Sequence, residues 1–507
     1  TLVISFIGYT PLEVKVTKLD GNRFTLKEDE HLLDEVVVVG MGQQKRSTIT
    51  AAVSTVSSDA IVNRPITDLT SALQGNVAGL NFATDAVSDV VGCETGAEIK
   101  FNIRGIGSIN GGEPYVLVDG IEQSMQNVNP NDIESISVLK DASAAAVYGA
   151  RAAYGVVLVT TKSGRKEKMQ VSYRGTFGFS APINMPNMMN SVEFANYVNE
   201  RCDNMGVKHK ISDALIEKME GFMKSPYSAE FPGIDPNQNK TDWASSMDAV
   251  YANTDWFDHY FKSTTMRHSH NLSVMGGSDK INYYVGLGYI YQEGLLDKVD
   301  DNLSKYNVNT KFEIKAKEWL KFNFNNNITL NILKRPMPNQ TIFYATLGKS
   351  LPNAPTHYPV ASQYNDASEF RYMKESRYVQ NRISDAMSFS ATVTPLLGWD
   401  IMGEMKVRFD VEDNSFKRGY PAYEKPDGEL QVYKDTQQGY TYPGMNWRSS
   451  KWGSYTHGNA FNYYLSPNVM SSYAHSWGEH SFKAMAGFQM EMQENSNGYY
   501  YVDGLLS

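Results

Sequence analysis

Few of these 507 residues have the spacing of a reaction centre. His268 and His270 stand two apart, on one face of any strand that holds them, as two metal ligands would. Leu272 and Val274 continue that face, so a place on an apolar rim is the competing reading. Asp297, Asp300 and Asp301 crowd one short stretch, which suits either a calcium-type oxygen site or a solvated acidic loop. Gly105-x-Gly107 lacks the third glycine and the following helix of a dinucleotide fingerprint. No HExxH, Walker lysine motif or GxSxG elbow is present. The chemistry left is non-covalent, and neither an enzyme, a cofactor nor a metal is expected.

The segment best suited to binding is DEVVVVG, comprising Asp34, Glu35, Val36, Val37, Val38, Val39 and Gly40. Four consecutive valines have high strand propensity, and such a run can add through its main chain to the sheet edge of another protein. An ordinary buried strand is the alternative. Gly40, Gly42 and the polar run Gln43 to Thr48 favour a flexible leash around it. Two arginines, Arg104 and Arg151, stand beside glycines. Each is suited to a reversible pairing with a carboxylate, or else to plain solvation.

The elements that position these residues are legible around Phe101 to Lys162. Phe101 and Ile103 alternate with Asn102 and Arg104 as a short strand ending in a glycine turn at Gly105 and Gly107. Tyr115 to Val118 is a second strand, stopped at Asp119-Gly120, where a turn can take a positive φ. Ile136 to Leu139 is a third; Asp141 then caps a short helix from Ala142 to Val147, which Gly149 breaks. Val156 to Thr161 returns as a fourth strand. Upstream, a helix is expected from about Asp68 to Gln74, ended by Gly75.

Composition of the whole chain bounds what the longer stretch downstream can be. Aromatics make up 12% with 31 Tyr, yet mean hydropathy is −0.41. A sheet with one apolar and one wet face gives that average without a long apolar run. No window approaches the ~18 apolar residues of a spanning helix. A formal net charge of −9 argues against nucleic acid as a partner. Cys93 and Cys202 are too few for a disulfide framework and either pair or stay free. TLVISFIGYTPLEVKV starts in mid-strand instead of as a signal peptide, so the sequence is expected to begin inside a domain.

From Met169 the period becomes two. Met169, Val171, Tyr173, Phe177 and Phe179 oppose Gln170, Ser172, Arg174 and Thr176. Leu320, Phe322, Phe324, Ile328 and Leu330 oppose Lys321, Asn323, Asn325, Asn327 and Asn331. Trp399, Ile401, Met405, Val407 and Phe409 oppose Asp400, Glu404, Lys406 and Arg408. Short connections are expected at Gly276 to Asp279, Lys315 to Lys317, Leu396 to Gly398 and Trp477 to Glu479. Long ones are expected at about 181–262, 332–385 and 412–458. Alternation of short and long connections is the pattern of an outer-membrane barrel, and about nine strands are counted on that template. Nine strands do not close around a filled lumen, so the rest of the barrel is expected elsewhere.

IRGIGSINGGEPYVLVDGI and LKDASAAAVYGARAAYGVVLVTTK resemble the plug domain of TonB-dependent outer-membrane transporters of the SusC-like type. LDEVVVVGMGQQKRSTITAAVSTV and DWFDHYFKSTTMRHSHNLSVMGGSDKINYYVGLGYIYQEGLL resemble the same subfamily, so the likeness runs from about Asp34 to Leu296. It implies a mainly β fold: a transmembrane β-barrel of the 22-stranded type with an α/β plug in its lumen. The domains would be 1–30, the end of a small regulatory-like β-sandwich; 31–48, the TonB box and leash; 49–165, the plug; and 166–507, the first part of the barrel. Asp34 to Gly40 would be the TonB box, and Arg104 and Arg151 latches to wall carboxylates. Asp85 to Glu98 departs from the short turn usual in the subfamily. Asp85, Asp89 and Glu94 there, with Ser108, Asn110 and Glu113 in the next loop, are candidate cargo contacts, or else belong to surface loops without a role. Loop aromatics such as Tyr344, Tyr358, Tyr372, Trp447 and Trp452 suit sugar stacking, a peptide groove or lid contacts alike. The implied partners are a SusD-like lid lipoprotein, the TonB protein, outer-membrane lipid, and oligosaccharide or oligopeptide cargo. A dimer of the transporter–lid pair is left open, as is a signalling role.

Overall fold

The structure, a computed structural model, describes residues 2–4, 12–14, 36–39, 42–45, 53–58, 61, 69–77, 79–83, 95–96, 99–103, 105, 112–140, 146–183, 185–235, 243, 246–336, 347–360, 367, 372–419, 422–432, 453–477 and 480–505. The chain divides into two compact units, one of Thr1–Ala83 with Ile99–Lys162, the other of Thr84–Glu98 with Ser163–Ser507. The plug is expected over 49–165. Its loop Thr84–Glu98 clusters with the second unit.

In the first unit β1 (Leu2–Ile4) pairs antiparallel with β2 (Leu12–Val14), and β3 (Val36–Val39) with β4 (Gly42–Lys45). Its main sheet has the order β5-β10-β11-β8-β9, formed by Val53–Ser57, Ile133–Leu139, Val156–Thr161, Tyr115–Val118 and Ile121–Glu122. The β11–β8 pair is parallel and the others are antiparallel. Parallel neighbours are covered on both faces, and the near-continuous apolar runs VVLV and YVLV are buried accordingly. The helix α1 (Leu69–Leu73) ends before Gly75, at φ 78°, and lays Leu69 and Leu73 on the core formed by Ile133, Ile136 and Val157. β6 (Leu80–Ala83) and β7 (Lys100–Ile103) form a separate hairpin-like pair.

The Asp119-Gly120 turn is as the sequence implies, with φ 48° and 81°. Asp119 also ties two strands together. Its carboxylate accepts from Thr161 N at 3.0 Å and Thr161 Oγ1 at 2.6 Å, fixing β8 against β11. Ala146–Tyr154 is a 3-10 segment interrupted at Gly149, where φ is 66°. The helix expected to start at Asp141 falls mainly outside the described residues.

The second unit is a ten-stranded antiparallel sheet: β12 (Gln170–Ser180), β13 (Thr265–Gly277), β14 (Ile281–Glu293), β15 (Asn302–Lys317), β16 (Leu320–Arg335), β17 (Arg377–Leu396), β18 (Trp399–Arg418), β21 (Gly453–Trp477), β22 (His480–Gln489) and β23 (Met492–Leu505). From β12 to β22 each pairs with the next of these in sequence. β22 and β23 lie in succession along β21, against 468–477 and 453–465, and share one place, so the ten strands fill nine positions. The intervening β19 (Ala422–Glu424) and β20 (Leu430–Val432) pair only with each other among the described residues.

Short connections fall where expected, except that the Lys315–Lys317 turn lies further on, at Glu318 and Trp319. The cross-strand pair Lys321–Glu313 and the turn pair Lys315–Glu318, each 2.7 Å, flank it. At the other end β16, β17, β18 and β21 continue beyond the predicted limits. There polar pairs such as Arg382–Glu412, at 2.9 Å, replace the apolar alternation that marked strands in the sequence.

The first long connection is a folded cap. Asn190 and Glu193 form a capping box that starts α2 (Ser191–Asn204), Ser212 caps α3 (Asp213–Lys224), and Asp255 caps α4 (Trp256–Tyr260). The apolar faces of α2 and α3 bury Ala195, Met219 and Phe222, with Ile211 from the turn between them, in a core of their own.

Candidate functional site

β3 gives Val36 to Val39 a partner that the leash reading did not foresee. Val36 faces Lys45 and Val39 faces Gly42, so the valine run is one arm of a local hairpin that turns alternate main-chain groups toward β4. Asp34, Glu35 and Gly40 lie outside the described residues. Among the described residues β3 pairs on one side only.

Of the two arginines, Arg104 lies outside the described residues. Arg151 meets a carboxylate within its own unit: Nη1 is 2.9 Å from Glu122 Oε2, and the guanidinium lies over the Tyr115 ring at 4.9 Å. Glu122 is on β9, so this pair braces the plug's sheet edge. Glu113 is exposed, two residues before β8. Asp85, Asp89, Glu94, Ser108 and Asn110 are outside the described residues, as are Tyr344, Trp447 and Trp452.

The large sheet has the reverse of a soluble protein's polarity. On β15 Lys305, Asn307, Asn309 and Lys311 are buried, Asn309 to 1% exposure, whereas Tyr306, Phe312 and Ile314 are exposed. On β16 and β17 Asn327, Thr329, Ser384, Ser388 and Ser390 are buried while Phe324, Ile383 and Phe389 are exposed. Cross-strand bonds pair part of this polar face: Asn307 donates to Thr329 at 2.8 Å, Asn323 to Ser390 at 3.1 Å and Asn325 to Ser388 at 3.2 Å, whereas Asn309 Nδ2 and both amide atoms of Asn327 meet no protein partner among the described residues. Further along, the same face carries compensated charge. Arg408 lies 2.8 Å from Asp410, Lys406 3.2 Å from Glu404, and Ser384 donates to Asp410 at 2.6 Å. An exposed apolar face of this extent, backed by a buried polar one, is matched to hydrocarbon outside and a polar interior. Polar pairs interrupt the apolar side, Asn326 donating to Asp385 at 2.6 Å and Asn381 to Asp413 at 3.5 Å.

His268 and His270 are on that apolar side. Their rings pack with Phe177, at 5.8 and 5.6 Å, and with Tyr289 and Tyr291, and His270 Nδ1 is 2.8 Å from Tyr173 Oη. This is the rim reading: polar-edged rings gather where an apolar wall meets water. The acidic stretch 297–301 requires a correction. Asp301 is 3% exposed instead of solvated, with its carboxylate accepting from Leu296 N at 3.3 Å and Gly294 N bonded to its carbonyl at 2.8 Å.

Above the strands, two outer connections are tied together. Asn353, fully buried, donates from Nδ2 to Met247 O and Val250 O, both at 2.8 Å. Trp256 Nε1 donates to Leu351 O at 2.8 Å, and Tyr227 stacks on His357 with centroids 3.7 Å apart. Tyr227 sits at φ 54°, a conformation held by its hydroxyl, which accepts from Thr356 N at 2.8 Å. Trp243 stacks on Tyr358 at 4.9 Å and reaches Glu424 O at 2.6 Å. Cys202 is a buried free thiol within α2, and Cys93 is outside the described residues. The helices α2 and α3 were missed in sequence although Asn190-x-x-Glu193 and Ser212-Asp213 announce their starts.

An α/β unit of plug type and an inverted antiparallel sheet are carried on one chain, the two kinds of part from which plugged β-barrels of the outer membrane are built. Residues 45–156 match the family model described as TonB-dependent Receptor Plug Domain. TonB-dependent receptor P26 of Formosa agariphila is 32% identical over 382 residues, covering 73% of this chain and 33% of that protein. TonB-dependent receptor SusC of Bacteroides thetaiotaomicron is 27% identical over 527 residues, covering 98% and 46%. In fold the chain is similar to the RagAB peptide importer in its open-open state, with a TM-score of 0.69 at 24% identity over 93% of this chain and 50% of that one. The chain is similar to the SusC-like TonB-dependent receptors, and it spans a third to a half of the length of these relatives.

Proposed function

We propose that this chain is the plug and first barrel portion of an active importer that carries a nutrient oligomer, an oligosaccharide, across the outer membrane. Cargo enters from outside between the outer connections, the plug loops and a SusD-like lid. TonB pairs with Val36 to Val39 by strand addition at the edge not taken by β4, and the pull displaces the plug. No bond in the cargo changes. The inverted sheet carries this reading: a polar face rich in Asn and Ser amides and hydroxyls suits a hydrated, hydroxyl-bearing cargo, and an apolar face suits lipid. Asp85, Asp89, Glu94, Ser108, Asn110 and Glu113 are proposed to face the cargo. Arg104 is proposed as the latch to the wall, while Arg151 already has Glu122.

The test has two arms. Deleting Asp34 to Gly40 in the full-length receptor should leave cargo bound at the cell surface and stop its uptake; normal uptake by the deletion would refute the coupling role. Mass spectrometry of the natively purified complex should find an oligosaccharide and a surface lipoprotein. A bound oligopeptide would replace the cargo class, and the lipoprotein's absence would remove the lid.

A further inference from the structure

The loop Thr84–Glu98 leaves the plug unit after Ala83 and re-enters it at Ile99, yet it clusters with the wall. Its Thr95–Gly96 turn is seated in a built socket at the outer ends of β15 and β16. Thr95 is 1% exposed, and its carbonyl accepts from Arg335 Nη2 at 2.8 Å. Arg335 is itself buried, which makes a charge-assisted bond of this kind strong. The Thr95 side chain lies beside the buried Asp301 carboxyl. Gly96, at φ 70°, lies against Leu303 and Leu333; a Cβ there would meet Leu333 Cδ1 at 3.3 Å. The socket's far wall is equally fitted, since a Cβ at Gly294 would run into the Asp301 carboxylate.

We infer that Arg335 and Asp301 are positioning residues for transport, holding the plug-borne turn Thr95–Gly96 on the wall until the plug is pulled. Chain geometry makes the hold short. Lys100, the start of β7, is only about four residues beyond Gly96, so β7 cannot move farther than ~14 Å from the socket while the turn stays seated. Ala83, about twelve residues from Thr95, is tied to it by a segment whose full reach is ~40 Å. The plug therefore yields first on its β6 side, and β7 follows only when Thr95 lets go.

This inference rests on the importer reading, and the two fail in different ways. The full-length receptor in lipid vesicles is pulled through a handle on the Asp34 to Gly40 segment, and the force and extension of plug release are recorded. Arg335→Ala should release the β7 step about tenfold to a hundredfold faster at fixed force, the worth of one hydrogen bond to a charged group. Arg335→Lys should restore part of the delay, and hydrogen exchange at Lys100–Ile103 should rise in Arg335→Ala while β17 and β18 stay protected. A wild-type plug that never yields to this pull would sink the importer reading and this inference with it. A wild type that yields, with Arg335→Ala yielding no sooner, would sink the inference alone.

Discussion

Placing arginine at Leu287 tests whether the exposed side of the sheet lies in hydrocarbon. On β14 the outward residues run Ile281, Tyr283, Val285, Leu287, Tyr289 and Tyr291, with Leu287 45% exposed. About ten residues at ~3.4 Å each, tilted by ~40°, span ~26 Å, which matches the ~25 Å apolar band of an outer-membrane wall. Leu287 is about six residues along, ~16 Å from the Ile281 end and within ~3 Å of the middle of the band. Arginine there should cost about 2–4 kcal/mol, against about 0–1 kcal/mol for Ile281→Arg at the edge. In equilibrium constants the first is about 30-fold to 1000-fold. Were this face in water, an exposed leucine replaced by arginine would change stability by no more than about 0.5 kcal/mol. Urea titration of the full-length receptor in vesicles reads the difference. Leu287→Arg and Ile281→Arg both within about 0.5 kcal/mol of wild type would overturn the membrane assignment of the wall.

Two further outcomes concern the outer connections. Asn353→Ala removes both bonds to Met247 O and Val250 O and strands one buried and one part-buried carbonyl, so the cap should lose about 1–3 kcal/mol. Limited proteolysis should then cut between 185 and 264 while the strands persist; an uncut cap would show that Asn353 does not tie the two connections. Burial holds the Asp301 carboxyl above the ordinary carboxylate range, despite Thr95, the Leu296 amide and Arg335 pulling the other way. The folded state therefore binds this proton more tightly than the unfolded one. The contribution is greatest at pH below the ordinary carboxylate value and is lost as pH rises through the folded value. Exchange at Thr95 should accordingly quicken from acid to neutral pH beyond its intrinsic rate, and Asp301→Asn should flatten that dependence. A wild-type profile identical to that of Asp301→Asn would contradict it.

Much of the fold is local and therefore legible in the residues alone. Period-two alternation from Met169 onward assigned each residue to an apolar or a wet side, since a strand turns its side chains over at every step. Asp119-Gly120, Gly75 and Gly398 marked turns and helix ends because few other residues accept φ values of 48°, 78° and 83°. Alternate short and long connections set the antiparallel order. The two features of the site that could not be read this way depend on distant partners. Asp301 looks like a solvent-exposed acid among other acids; only Thr95 and Arg335, brought to it from positions 206 and 34 residues away in this numbering, make it a buried socket. Arg151 reads as an arginine beside a glycine, and only the strand order that sets β9 beside β8 gives it Glu122. Alternation and turn chemistry are written in neighbouring residues. The environment of a charge depends on whichever segments the folded chain brings to it.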